Sequence, residues 1–433
     1  MLSRVIARLL ARVGLVTPEQ RAWAWYDWAN STYFTTVITA VFPTFFATYA
    51  AKGLEPAQAS ARFALITTIS VAVVAVLAPI LGALADYSGI KKRLLAIFMM
   101  IGVTSCALMV LIGEGDIMLA SVLFFVGNIG VSGSTVFYDS LLPHVAKPDE
   151  TDRVSSAGYL MGYISGGVLL LVNLAWILSP ATFGFANGAS ATRASFVAVA
   201  IWWAIFSIPL FKRVPEPPAD SGGEGRFSIG IAFSRLARTF SEVRRYRNAF
   251  LLFIAMLLYQ DGIQTVIRMA SVYGAEVGID QNAQIAAFVM VQFVGIPFSF
   301  LFGMLGTRFG TKRCIFAAIG VYIIATSLAY FMTTATEFFL LAFLVATVLG
   351  GSQALSRALF SRMVPPDRTS EFFGFYAVSE RFATVFGPTL FGLSVAITGS
   401  SRSALVAIIG LFLAGAFVLS LVDEQEGMRA AAR

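Results

Sequence analysis

"GALADYSGIKKR", residues 82–93, has an echo in "GMLGTRFGTKR", residues 303–313. Gly82 and Gly303, Gly89 and Gly310, Lys91 and Lys312, and Lys92 and Arg313 are all 221 positions apart, as are Gly166 and Gly387. Each copy lies between two long apolar runs. A fixed interval shared by several positions is the mark of an internal repeat. When each half holds an even number of membrane spans, the two halves keep the same orientation.

The composition agrees with a membrane protein. Of 433 residues, 58% are hydrophobic and 13% charged, against about 25% charged in soluble domains. A bilayer-spanning helix needs about 20 apolar residues. Twelve such runs are legible, at 23–50, 63–85, 93–113, 117–141, 155–178, 193–212, 248–273, 283–306, 313–332, 336–360, 371–396 and 402–422. The expected fold is an all-α membrane protein of twelve transmembrane helices in two six-helix halves. The expected divisions are a basic amphipathic leader (1–22), a first half (23–212), a linker (213–247), a second half (248–422) and a tail (423–433). In the leader, Arg4, Arg8 and Arg12 share one helical stripe, as in a short interfacial helix. The linker is rich in Pro, Gly and charge.

Lys and Arg gather in alternate loops: 24 of the 31 fall on the side that carries the leader, linker and tail. Basic loops are retained in the cytoplasm, so both termini are expected there, with a bacterial inner membrane as the expected location. Cys106 and Cys314 lie in or beside apolar runs, which argues against a disulfide framework.

With its Gly-x-x-x-Asp start, second glycine and basic cluster, the 82–93 loop resembles the signature loop of the major facilitator superfamily. Gly82, Asp86, Gly89 and Lys92 carry that resemblance, and Gly303, Gly310 and Arg313 repeat it. The second copy has Thr307 where the first has Asp86. "YDWANS", "RVSSAGYLMGYISGG", "YQDGIQTV", "GGSQALSRALF" and "EFFGFYAVSERFATVFGP" narrow the resemblance to the autophagy-associated vacuolar amino-acid effluxers and their bacterial relatives. The resemblance implies a twelve-helix transporter whose spans one, four, seven and ten line a central cavity.

Polar residues inside the spans are costly and face a partner or a cavity. Asp261 lies near the middle of span seven, with Gln264 and Arg268 on its face at i+3 and i+7. Glu380 and Arg381 lie within span eleven. Asp27 sits among the aromatics of "WAWYDWANST", residues 23–32, with Asn30 on its face. It is either a helix cap within an aromatic interfacial belt or an acid at a cavity mouth. Asp261, Asp27 and Glu380 are the proton-coupling candidates. Asn30, Asn128, Gln264, Arg268, Gln292, Gln353, Arg357 and Arg381 are the substrate-binding candidates. Asp139 and Arg357 fall near the basic ends of their spans, where a gate is as natural as a binding role. The glycine ridge Gly158, Gly162 and Gly166 reads as helix packing.

Other chemistry is disfavoured. "GEGD" (113–116) lies in a loop and in the wrong order for an aspartyl protease. A lone histidine, His144, gives no metal site or Ser-His triad within the spans. The chain has no phosphate-binding Gly-x-x-x-x-Gly-Lys loop. The expected function is therefore not enzymatic and needs no cofactor, metal or nucleic acid. It is secondary active transport of a small polar solute, amino acids or short peptides, coupled to protons, by a monomer. Export of sugars, peptidoglycan fragments or drugs is the alternative within transport, and a non-transporting scaffold or sensor the alternative outside it.

Overall fold

The computed structural model describes residues 10–11, 13–54, 56–219, 246–279, 281–382, 390, 394, 397 and 401–432. Arg4, Arg8 and Arg12 of the leader and most of the linker lie outside the described residues. Among the described residues the secondary structure is helical. The main helices are α1 (Pro18–Thr32), α2 (Pro56–Ser88), α3 (Lys91–Leu108), α4 (Ile117–Ser140), α5 (Thr151–Leu178) and α6 (Gly188–Arg213). After the linker come α7 (Arg247–Glu276), α8 (Gln281–Phe309), α9 (Thr311–Ala329), α10 (Ala335–Arg362), α11 (Thr369–Phe382), α12 (Ser401–Ser420) and the short α13 (Glu424–Ala431). Among the described residues ten helices are long and apolar enough to cross a membrane. The bent pair Pro18–Ala40 and Phe42–Ala50 makes eleven. The expected span 371–396 begins within α11 and runs on into residues outside the described set.

The bend in the first span has a local cause. Past Thr32 the backbone winds as a π-helix from Tyr33 to Ala40. The Thr39 hydroxyl donates to the Phe34 carbonyl at 2.9 Å, and Thr35 donates back to the Ser31 carbonyl at 3.1 Å. Such back-bonding by β-branched residues loosens the α-helical ladder. Pro43 then supplies no N–H to continue it, and the chain turns by 40°.

Buried side chains form two large cores. One runs from Leu15 to Val214 and the other from Tyr246 to Val422. They meet where α2 packs on α11 and α5 packs on α8 and α10. Bilayer lipid is as apolar as the helix faces, so close backbone approach and polar contacts hold such an interface. A Cβ on Gly82 would lie 2.2 Å from the Ser370 carbonyl oxygen, and one on Gly303 would lie 2.7 Å from Ser156 Cβ. The repeated glycines are two of the points where the cores approach closely. Within the first core, Gly158, Gly162 and Gly166 of α5 seat Asp27, Ser31 and Thr35 of the first span.

The two signature loops close in parallel ways. Gly89 and Gly310 both take positive φ, +60° and +92°, a region that penalises side chains. The Lys92 ammonium donates to the carbonyls of Phe211 and Val214 at the end of α6, and its backbone N–H to Glu216. The Lys312 ammonium donates to the carbonyls of Ser420 and Val422 at the end of α12, and its backbone N–H to Glu424. Lysines near helix C-termini satisfy the last carbonyls in this way. The structural counterpart of Lys312 is thus Lys92, one residue away from the 221 interval. The register slips because α3 starts two residues after its glycine and α9 only one.

Candidate functional site

Asp27 is no helix cap. The cap is Thr17, whose hydroxyl accepts from the Gln20 N–H at 3.1 Å while Gln20 Oε1 accepts from the Thr17 N–H. Nor do all the surrounding aromatics form a belt: Trp23 and Tyr26 are fully buried. The Trp23 ring stacks on Tyr138 at 4.5 Å, and its indole N–H donates to the Tyr138 carbonyl. Trp25 and Trp28 are half-buried against Phe206.

The buried aromatics wall a charged cluster at the linker side of the bundle. Arg357, near the end of α10 and 3% exposed, crosses from the second core into the first. One terminal nitrogen donates to Asp139 of α4 at 3.0 Å, and the other reaches Asp27 of α1 at 3.3 Å. Its Nε donates to the Ser155 hydroxyl and its Nη2 to the Ser155 carbonyl, at 2.9 and 3.0 Å. The Tyr138 hydroxyl donates to the same Asp27 oxygen at 2.7 Å. The guanidinium also lies over the rings of Tyr159 and Trp23, at 4.5 and 4.9 Å, contacts that favour a cation stripped of water. A buried arginine needs this many partners because desolvating it is expensive. The result is a bolt between four helices, drawing α10 onto α1, α4 and α5.

Two further bolts flank it. Asp86, 1% exposed at the end of α2, pairs with Lys91 at 2.8 Å. It also accepts from the backbone N–H groups of Ser370 and Glu371 at 3.1 and 2.8 Å, so a residue of the first core anchors the N-terminus of α11. Lys91 also contacts His144 and the Thr369 hydroxyl. In the second copy, among the described residues, the Thr307 hydroxyl donates back to the Met304 carbonyl within its own helix. The missing acid comes instead from α5. Asp152 accepts from the Thr311 hydroxyl at 2.6 Å and pairs with Arg362 at 3.3 Å. The two bolts therefore have different chemistry at related places.

The remaining sequence candidates are more dispersed. Asp261 is buried at 1% exposure on α7, and its carbonyl accepts from the Thr265 hydroxyl. Gln264 and Gln353 are half-buried on α7 and α10. Asn30 is buried on α1, one turn beyond Asp27. Asn128 donates to the Ser70 hydroxyl at 2.9 Å, and its oxygen is unpartnered. Gln292 is half-buried on α8 with its oxygen unpartnered. The side chains of Arg268, Glu380 and Arg381 lie outside the described residues. Of all the candidates, the structure brings Asp27 and Arg357 into direct contact, with Asp139 as their third member. Sequence reading passed over Tyr138, Ser155 and Asp152, and also Gln260, a 2% exposed amide on α7 with both polar atoms unpartnered. Asp152 and Gln260 carry a local signal, polarity beside or inside an apolar run. Tyr138 and Ser155 carry none.

Comparison with known proteins places this architecture. The family described as "Vacuole effluxer Atg22 like" matches residues 53–432. YxiO of Bacillus subtilis (strain 168), described as an uncharacterized MFS-type transporter, is 38% identical over 411 residues, covering 94% of this chain and 96% of that one. Autophagy-related protein 22 of Coccidioides immitis (strain RS) is 24% identical over 448 residues, covering 86% and 74%. Among solved structures, the human organic anion transporter MFSD10 superposes with a TM-score of 0.71 at 15% identity, covering 93% of this chain and 99% of that one. The proton:xylose symporter XylE superposes at 0.69 and 15%, covering 95% and 97%. The chain therefore belongs to the Atg22-like family and is a transporter of the major facilitator type.

Proposed function

We propose that this transporter is a secondary one, moving a small polar solute, amino acids or short peptides, by alternating access and with coupling to protons. The observation that carries this reading is the buried bolt of Asp27, Arg357 and Asp139. It joins two separately packed cores at one side of the bundle, as a pair of rocking halves requires. The two cores support a division into six-helix halves. The basic loops support a cytoplasmic linker side, which makes this state closed toward the cytoplasm. The description of the family as a vacuole effluxer supports movement by efflux. A bacterial inner membrane and a monomer complete the proposal.

Asp261 is the coupling carboxylate in this reading, because it is an acid buried within a membrane-spanning helix, where ionisable groups are functional candidates. Gln264, Asn30, Asn128, Gln353 and Gln292 would hydrogen-bond the solute. The test uses proteoliposomes loaded with labelled amino acids under an imposed pH gradient. Wild type should give protein-dependent flux of particular amino acids, and Asp261→Asn should lose the dependence on the gradient. Folded, inserted protein that moves no amino acid would sink the substrate assignment. Unchanged coupling in Asp261→Asn would sink the role of that carboxylate.

A further inference from the structure

The two cores also touch away from the bolts, and the contacts there are of another kind. Tyr163 of α5 reaches out of the first core into the crevice between α8 and α10 of the second. A Cβ on Gly295 of α8 would lie 3.2 Å from its ring, and one on Gly350 of α10 only 2.5 Å. Both glycines are buried. Ser299, fully buried, closes the socket, its Oγ lying 2.1 Å from where a Gly350 Cβ would be. The ring therefore rests on bare backbone. The Tyr163 hydroxyl makes no hydrogen bond among the described residues. Along the other seam, Gly374 of α11 meets α2 at Pro79. A Cβ on Gly374 would lie 2.7 Å from the Ala78 carbonyl oxygen and from Pro79 Cα, and proline brings no N–H to that contact.

Height separates these contacts from the bolts. Tyr163 lies about 18 Å along α5 from Thr151, and Pro79 about 14 Å along α2 from Ser88, at 1.5 Å per residue. Half the hydrocarbon thickness is about 15 Å, so both contacts sit near the middle of the membrane. Asp152 and Asp86 lie at the linker-side ends of the same helices. When two bodies tilt against each other, contacts far from the axis part and contacts on the axis persist. A persisting contact holds no bond of fixed direction for the tilt to break. A flat ring on glycine backbone meets that condition, and close packing of this kind is what joins helices in lipid.

The geometry points to Tyr163 as the peg on which the halves turn. Its socket of Gly295 and Gly350 is one fixed point, Pro79 against Gly374 is the other, and the rocking axis is the line through them. This rests on the alternating-access reading. Tyr163 is a positioning residue that acts through the packing of the halves. The bolts decide which side is open, and the peg ties the opening of one side to the closing of the other.

The test reads conformation and contains no solute, so its failure is separate from a failure of the amino-acid assignment. Protein with Cys106 and Cys314 replaced by alanine is placed in nanodiscs. One spin-label pair, Arg93→Cys with Arg313→Cys, reports the linker side. Another, Ala186→Cys with Thr336→Cys, reports the outer side, and all four positions are exposed. Loss of a gate contact moves the two mean distances in opposite directions. Loss of the peg leaves the halves loose, so Tyr163→Ala should widen both distributions with neither mean moved, and lower the melting temperature. Gly350→Ala drives a methyl against the ring and should widen both as well. It keeps the test alive if Tyr163→Ala fails to insert. Tyr163→Phe keeps the ring and loses an unbonded hydroxyl, so both distributions should match wild type. Opposite shifts in Tyr163→Ala, widening on one side only, or a Tyr163→Phe protein that behaves like Tyr163→Ala would each overturn the peg. Unwidened distributions in both Tyr163→Ala and Gly350→Ala would overturn it too. If Arg357→Ala then still shifts the two means in opposite directions, the peg alone falls and alternating access stands.

Discussion

Replacing Arg357 with alanine should unlock the linker side. The side chain supplies two ion pairs, to Asp27 and Asp139, and two hydrogen bonds to Ser155. Its removal leaves two buried carboxylates facing each other without their cation. Breaking a buried pair from one side costs about 3–5 kcal/mol. Opening hydrates the carboxylates and relieves that cost, so the cost falls almost wholly on the closed state. At about 1.4 kcal/mol per tenfold, the closed-to-open ratio should drop by roughly two to three powers of ten. The upper end is trimmed because a carboxyl can take up a proton instead. Ser156 is a suitable reporter. It is 1% exposed on α5 and abuts Gly303 of α8, at the contact between the cores. In a background with Cys106 and Cys314 replaced by alanine, Ser156→Cys should react slowly with a membrane-impermeant maleimide. Adding Arg357→Ala should raise the labelling rate by about a hundredfold or more, with size-exclusion behaviour unchanged. An unchanged rate in correctly inserted protein would refute the assignment of Arg357 as the bolt.

Other contacts give graded expectations. Gly82→Ala places a methyl 2.2 Å from a backbone oxygen of α11, which cannot rotate away, so it should increase Ser156→Cys labelling and lower the melting temperature. Lys91→Met removes the ion pair to Asp86 but leaves that acid its two backbone donors. The loss should be about 2 kcal/mol, below that at Arg357, read as a thermal shift in detergent. Asp152→Asn keeps a hydrogen-bonding group for Thr311 and loses the charge facing Arg362, so its labelling rate should fall between those of wild type and Arg357→Ala. Lys312→Met removes the cap on the α12 carbonyls and should lower the melting temperature by the equivalent of about 1 kcal/mol, without changing the Ser156→Cys rate.

Much of this molecule is written locally in the chain. Apolar length, basic loops and turn glycines act over one helix or one loop, so the membrane class, the signature loops and ten of the helices were legible by reading along the sequence. Asp139 and Arg357 were legible as costly residues near span ends. Which charge meets which was not. Arg357 lies 330 residues from Asp27 and 218 from Asp139, and no periodicity links positions so far apart. Tertiary packing also decided that Asp152 replaces the acid missing beside Thr307. It matched Lys312 with Lys92, one residue off the repeat. The physical reason is common to all three. Helix formation and membrane insertion are satisfied residue by residue, whereas a buried charge is satisfied only by whichever partner the packed helices bring to it.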